Sequence, residues 1–294
     1  MSRAGVLWNT TALQQNQGCS SACPWITALI AEYLLTSPTV SRVSVEDCIR
    51  RGVEAYSAFV ALDGRDKEPY CGRQSGYERS GGQLVAIPVE RQTQSSGYYT
   101  IEAAVKHMRD RGLLRHRLCV GEEIMGFKLP PGFPQQNVPA PFREAGFGYQ
   151  MTLRDGIHKF VVRAAALAEG SVACAAFSTS NHTITVAAVC LPGPAVRYYA
   201  VESLASRGGA AEIMDTSVDV GLHRYLSAAF GVPVETPTAA ETTAYTRMLD
   251  EALASGSLND PRLIYSMTGL HIEPPTGDAQ VVVSGALAAA PIAY

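Results

Sequence analysis

The sequence lacks the features that would point to a membrane or to nucleic acid. It has no apolar run approaching the ~18 residues of a membrane-spanning helix, and its first eight residues, Met1 to Trp8, contain no apolar core of signal-peptide length. No charge of one sign dominates, because 24 Lys and Arg stand against 27 Asp and Glu. Such a chain offers no basic footprint for nucleic acid or an anionic membrane. We therefore expect a cytoplasmic or nuclear protein that binds neither.

Paired metal-binding motifs and phosphate-binding loops are missing as well. Of the seven scattered cysteines, only Cys19 and Cys23 lie close together, at a C-x3-C spacing, and no second C-x2-C or H-x3-H pair follows. A structural zinc site needs such a second pair. No glycine-rich phosphate loop occurs either. We predict neither a metal nor a cofactor, and an odd number of dispersed cysteines is typical of a reducing compartment.

The chain does have the apolar content to bury a core, since 47% of its 294 residues are apolar, and its length suits one large domain or slightly more. Helical spacing of apolar residues and capping signals predict helices after Pro24, from a cap at Ser44, from Thr100 to Leu114, from Arg154 to Ala168, from Val218 to Phe230 and from Thr238 to about Gly256. Strands are predicted at Leu84–Val89, Val172–Phe177, His182–Cys190, Ala195–Glu202 and in the tail from Val281 to Pro291, with a surface loop over 63–82. This mixture predicts an α+β fold.

The stretch from Asn16 to Trp25 contains the first candidate functional residues. A loop of small residues ends in Cys23 and Pro24, and an apolar segment of helical length follows. Because proline is favoured in the first turn of a helix, Cys23 is predicted at a helix N-terminus, where the dipole and the backbone amides favour a thiolate. Gln17, six residues upstream, can direct its side-chain N–H at an oxyanion beside the sulfur. A nucleophile with such a donor is half of an acyl-transfer site.

The two strands around Pro192-Gly193 contain the second candidate pair. A hairpin folded about this turn sets Glu202 opposite Ile184 and diagonally across from His182, within reach of long side chains. Glu202 would then orient His182. A cysteine before an apolar helix is often only a small buried residue, and a lone histidine is often structural. Distant Cys and His residues that converge, however, are what thiol catalysis requires.

These motifs resemble the papain-like cysteine peptidases. Asn16-Gln17-Gly18 with Cys23 and Trp25 is similar to the glutamine-to-cysteine signature of that clan, and Asn181-His182 before an alternating strand resembles its histidine strand. Two deubiquitinase branches are similar in more detail. Cys23-Pro24 before an apolar helix, with Phe177 shortly before the histidine, resembles the MINDY-type enzymes. The order of elements over residues 14–204, ending in the segment Tyr198 to Leu204, resembles the herpesvirus large tegument deubiquitinases.

The resemblance implies a papain-like core over residues 1–204, in which a helix carrying the cysteine packs on a mostly antiparallel sheet carrying the histidine. The resemblance does not extend to residues 205–294, which are predicted to be a helical extension with a final strand, packed on the core. The implied activity is a cysteine peptidase acting on ubiquitin or ubiquitin-like conjugates without a metal or organic cofactor. If the chain is viral, the virion or the host cell is its expected location.

The resemblance also implies a role for each candidate residue. Cys23 attacks the carbonyl as a thiolate, His182 acts first as general base and then as acid, and Glu202 holds the imidazole, while Gln17 and the Cys23 amide bind the oxyanion. Papain-like enzymes usually carry asparagine or aspartate where Glu202 stands. Three alternatives stay open: Cys19 as the nucleophile, an inactive fold of this type that binds a partner or forms part of a virion or scaffold, and an acyltransferase or amidase with the same triad.

Overall fold

The computed structural model describes residues 6–10, 21–37, 39–70, 77–80, 83–86, 100–140, 152–179, 182–193, 195–204, 211–255 and 263–274, with the backbone alone at 6–10, 68, 77–80 and 83–86. The strands are β1 (Val6–Thr10), β2 (Tyr77–Ser80), β3 (Gln83–Ala86), β4 (Leu118–Phe127), β5 (Val172–Thr179), β6 (His182–Cys190), β7 (Val196–Glu202), β8 (Ala211–Thr216) and β9 (Ile264–Ile272). The helices are α1 (Cys23–Thr36), α2 (Arg42–Val60), α3 (Gly64–Lys67), α4 (Ile101–Asp110), α5 (Leu153–Ala165), α6 (Asp219–Phe230) and α7 (Ala239–Ser255).

An antiparallel sheet of seven strands, in the order β1-β8-β7-β6-β5-β9-β4, organises the described residues. Helices cover both of its faces, and a buried apolar cluster lies under each. One cluster joins the sheet to α1, α2 and α4. The other joins it to α5 and α6. These observations confirm the predicted α+β architecture. The cysteine-bearing helix packs on an antiparallel sheet, and that sheet carries the histidine.

Helix α1 is the central helix of the first cluster. It is buried along most of its length and packs against α2, α4, β5, β6 and β9. Its contact with α2 is close because α2 has a glycine there: a Cβ added at Gly52 would lie 2.6 Å from Ile26 Cγ1. Helix α1 ends at Thr36. A helix held on all sides in this way can fix the position of the residue at its first turn.

Two local predictions were wrong. Ser44 does not cap α2; the helix begins at Arg42, and the side chain of Ser41 accepts a hydrogen bond from the Ser44 amide at 3.4 Å. Both serines suit an N-cap, but only Ser41 has the extended backbone, with φ −123° and ψ 134°, that the position requires. The predicted loop over 63–82 contains α3 and strand β2, which pairs with β3. The predicted strand over Val281 to Pro291 lies outside the described residues.

Strands from both halves of the chain share the sheet. Strand β8 lies between β1 and β7, and β9 lies between β5 and β4, although both follow residue 204. The division of the chain at residue 204 stays a prediction. A third apolar cluster joins α7 to the proline-rich segment after β4 through buried Leu129, Phe133 and Val138. None of the helices in the described ranges has the length and apolarity to cross a membrane.

Candidate active site

Cys23 is the first residue of α1, at the end of the sheet where β6 begins. Pro24 follows it in the first turn, and no side chain caps this end of the helix, because the N-cap residue is Ala22. The positive end of the helix dipole therefore lies beside the sulfur and favours negative charge there. Only 2% of Cys23 is exposed.

His182 and Glu202 lie next to this helix end. The Cys23 Sγ is 3.9 Å from the His182 Nδ1, although the two residues are 159 positions apart in the chain. The other ring nitrogen, Nε2, is 2.6 Å from the Glu202 Oε2. The second carboxylate oxygen of Glu202 accepts a hydrogen bond from the Leu204 amide at 2.9 Å, which fixes the carboxylate. The imidazole thus connects the thiol to the carboxylate, because each of its ring nitrogens faces one of these two groups.

The hairpin register explains why the histidine meets the glutamate. Thr185 pairs with Val201, so the same register sets Glu202 beside Ile184, as the sequence predicts. Alternation along the two strands puts His182 and Glu202 on the face of the sheet that α5 and α6 cover, together with Ile184. Cys23 comes from the helix on the opposite face. The three side chains can meet because His182 is the first residue of its strand, at the end of the sheet.

A buried hydrogen bond ties α1 to the histidine strand close to this point. The hydroxyl of Thr185 donates to the hydroxyl of Thr27 at 3.1 Å, and both side chains are buried. Thr27 lies one helical turn after Cys23, and Thr185 lies three residues after His182. The bond therefore links the element that carries the thiol to the element that carries the imidazole, and it restricts sliding of one past the other.

The environment of His182 favours its protonated form. Burial alone would lower the His182 pKa, but the hydrogen bonds to Cys23 and Glu202 and the charge of Glu202 outweigh it and raise the pKa to about 10. This raised pKa favours an imidazolium, in which one ring N–H faces the sulfur and the other faces the carboxylate. Such a ring can stabilise a thiolate and can later give up a proton.

Sequence reasoning missed His107, which contacts the first turn of α1 from the other side. The Trp25 indole N–H donates to the His107 Nδ1 at 3.2 Å, and the rings of Phe59 and Tyr70 pack edge-on against the same imidazole. His107 belongs to the buried stripe of α4. The sequence shows only that this histidine lies on the apolar face of a predicted helix, and this pattern does not indicate that Trp25 is its partner.

Two of the residues singled out in the sequence, Gln17 and Cys19, lie outside the described residues. The predicted oxyanion role of Gln17 and the competition between Cys19 and Cys23 therefore stay predictions. Within the described ranges, no three His, Cys, Asp or Glu side chains come together as a metal site would need.

No protein-family model matches the chain, and no curated protein matches it in sequence. A similar solved structure is the ubiquitin-specific protease encoded by a tegument protein of murine cytomegalovirus, in complex with a ubiquitin-based suicide substrate. The two share 9% identity with a TM-score of 0.39, over 87% of this chain and 80% of that one.

Proposed function

We propose that the protein is a cysteine peptidase that hydrolyses ubiquitin or ubiquitin-like conjugates through Cys23, His182 and Glu202. The observation that supports this most strongly is the line of thiol, imidazole and buried carboxylate, with distances of 3.9 and 2.6 Å. A nucleophile, a base within hydrogen-bond reach and a third group that orients the base form the arrangement of covalent acyl transfer. Contacts of this kind are often longer before the substrate binds.

In the proposed reaction, the Cys23 thiolate attacks the scissile carbonyl carbon, a C–S bond forms and the carbonyl oxygen becomes an oxyanion. The oxyanion is bound by the Cys23 amide and the side chain of Gln17. The imidazolium of His182 then gives its Nδ1 proton to the leaving amine as the C–N bond breaks. Water attacks the thioester, its proton passes to His182, and the C–S bond breaks to release the acid. Glu202 stays ionised throughout and holds the ring.

The substrate class is supported by the sequence resemblance alone. The order of elements over residues 14–204 and the segment from Tyr198 to Leu204 resemble deubiquitinases. A ubiquitin tail ends in an extended peptide, which a cleft at the end of α1 would have to accept. The reaction needs a reduced thiol, so the cytoplasm or nucleus, or a host cell if the chain is viral, suits the proposed activity.

The test is labelling with ubiquitin that carries an electrophile at its C-terminus, followed by mapping of the modified residue. We expect attachment at Cys23 that is lost in Cys23→Ala and in His182→Ala. Cys48→Ala is the matched control, because Cys48 is also buried and burial raises the pKa of its thiol to about 12. This control variant should label like the wild type.

Other outcomes separate the alternatives. Attachment at Cys19 would move the nucleophile and keep the mechanism. If the ubiquitin probe fails while iodoacetamide labels Cys23 quickly at neutral pH, the substrate is another acyl compound. If neither reagent reacts, the hydrolase proposal is wrong and the fold serves to bind a partner.

A further inference from the structure

The last residue of helix α6 packs beside His182, on the face of the sheet opposite α1. Phe230 is the last residue of this helix, which ends there because Gly231 adopts a left-handed conformation with φ 68°. The Phe230 ring is 5% exposed. Its centroid lies 6.3 Å from the centroid of the His182 ring, with the planes tilted by 56°. The segment after residue 204, which has no role in the reaction proposed above, thus contacts the acid–base residue directly.

The other charged and titratable groups around His182 come from several elements. Cys23 and Glu202 bind its two ring nitrogens, and Glu212 on β8 stands opposite Glu202 in the sheet. Lys128, after β4, lies over the Phe230 ring with its Nζ 6.0 Å from the centroid. The hydroxyl of Tyr225, also on α6, is buried without a hydrogen-bond partner among the described residues. Phe230 is the group on α6 that packs on the imidazole itself.

We propose that Phe230 is a positioning residue for His182: its ring covers the imidazole on the α6 side and shields the hydrogen bond between His182 and Glu202 from water. This inference rests on the proposed function only for the role of His182 as acid and base. A hydrogen bond to a charged group is stronger in a medium of low dielectric, and an apolar ring over the pair supplies such a medium. The ring also restricts rotation of the imidazole away from the sulfur.

Removal of the Phe230 ring should change the pKa of His182 in one direction. Two opposing effects set the pKa of His182: burial, which lowers it, and pairing with Cys23 and Glu202, which raises it by more. Water admitted through a gap at Phe230 weakens both effects, so the pKa moves back towards its ordinary value. The pKa of His182 should therefore fall when Phe230 is shortened, by about one unit or more.

The experiment is a pH titration of the histidine side chains by NMR in the full chain, for wild type, Phe230→Leu and Phe160→Leu. Phe160 on α5 is the matched control: it is 4% exposed, lies in the same apolar cluster and packs against Phe177. Both variants make the same cavity-forming change. We expect the His182 pKa to fall in Phe230→Leu alone and to return to the wild-type value in Phe230→Tyr, which keeps the ring.

A second readout is the rate of Cys23 alkylation as a function of pH. The change of this rate at alkaline pH, called the alkaline limb, reports the loss of the His182 proton. This limb should move to lower pH in Phe230→Leu and stay in place in Phe160→Leu. Should Phe230→Leu fail to fold, Phe230→Met, which keeps most of the volume and loses the ring, is titrated instead with the same expectation. An equal shift in the Phe160 and Phe230 variants, or no shift in either, would overturn the proposal.

The two proposals fail separately. If the wild type reacts with the ubiquitin probe while the His182 pKa is the same in Phe230→Leu, the role of Phe230 is wrong and the proposed function stands. If the pKa falls only in Phe230→Leu while the wild type attacks no ubiquitin probe, the positioning role is supported and the substrate class is wrong.

Discussion

Two histidines contact the first turn of α1 from opposite sides, and their environments have opposite effects. His182 faces the Cys23 sulfur and the Glu202 carboxylate, and its pKa is raised to about 10 although burial opposes the charge. His107 faces aromatic rings and accepts the Trp25 N–H on its Nδ1. Burial first, and then the nearby Arg111, lower the His107 pKa. The partner that a buried histidine finds therefore decides its charge.

The two histidines at this helix end have different roles because their charge states differ. A ring that must accept the indole N–H at Nδ1 carries its own proton on Nε2 and is neutral. It can therefore pack among rings as part of the core. A ring whose two nitrogens face a sulfur and a carboxylate gains from a second proton. The neutral ring supports the fold around Cys23, and the charged ring is suited to proton transfer.

The largest expected effect is the loss of activity when the charged ring is removed. His182→Ala should reduce kcat/KM on a ubiquitin-tail reporter on the order of 10³-fold or more, because the variant has no acid for the leaving amine. The exposed His158→Ala is the control. A loss below about tenfold in His182→Ala would contradict the proposed mechanism.

Removal of the neutral ring should instead reduce stability. His107→Ala deletes a ring that is 2% exposed and packed by Phe59 and Tyr70, and it leaves the Trp25 N–H without this acceptor. We expect a loss of about 2–4 kcal/mol in the free energy of unfolding by chemical denaturation. Under conditions where the variant is folded, Cys23 should keep most of its reactivity towards iodoacetamide. Equal stability of the variant and the wild type would show that the aromatic cluster does not support α1.

The two histidines should also give stability opposite pH dependences. The stabilisation from His182, whose pKa is raised, is fully present below pH 6.5 and is lost as the pH rises to about 10. The stabilisation from a neutral His107, whose pKa is lowered, is present above pH 6.5 and is lost as the pH falls through the lowered value. The measurement is the free energy of unfolding against pH. In His182→Gln the free energy of unfolding should fall less steeply at alkaline pH, and in His107→Phe it should fall less steeply at acid pH. The reverse pattern would contradict both assignments.

The parts of the site predicted from sequence are those set by local signals. Pro24 marks the start of a helix, and Pro192-Gly193 fixes a tight turn whose two strands alternate regularly, so the register that brings Glu202 to His182 follows by counting. Gly193 has φ 81°, which this turn needs and glycine readily adopts. The distance between Cys23 and His182 could not be predicted by counting residues, because it depends on how α1 packs on the sheet.

The parts that were missed depend on distant partners or broken patterns. Strand β4 has a bulge between Val120 and Glu123, which interrupts the alternation that identifies a strand. Strand β9 is paired on both sides and has buried residues on both faces, so its sequence does not alternate clearly. His107 finds Trp25 at a separation of 82 residues, and no local pattern specifies that contact.

The smallest expected effect concerns the bond that holds α1 against the histidine strand. Thr27→Val should cost about 1–2 kcal/mol of unfolding free energy, since the Thr185 hydroxyl then stays buried without its partner. The double variant Thr27→Val with Thr185→Val removes both hydroxyls and should cost less than the sum of the two single changes. A double-mutant cycle by chemical denaturation measures the coupling. Zero coupling would mean that apolar packing, and not this hydrogen bond, fixes the distance between Cys23 and His182.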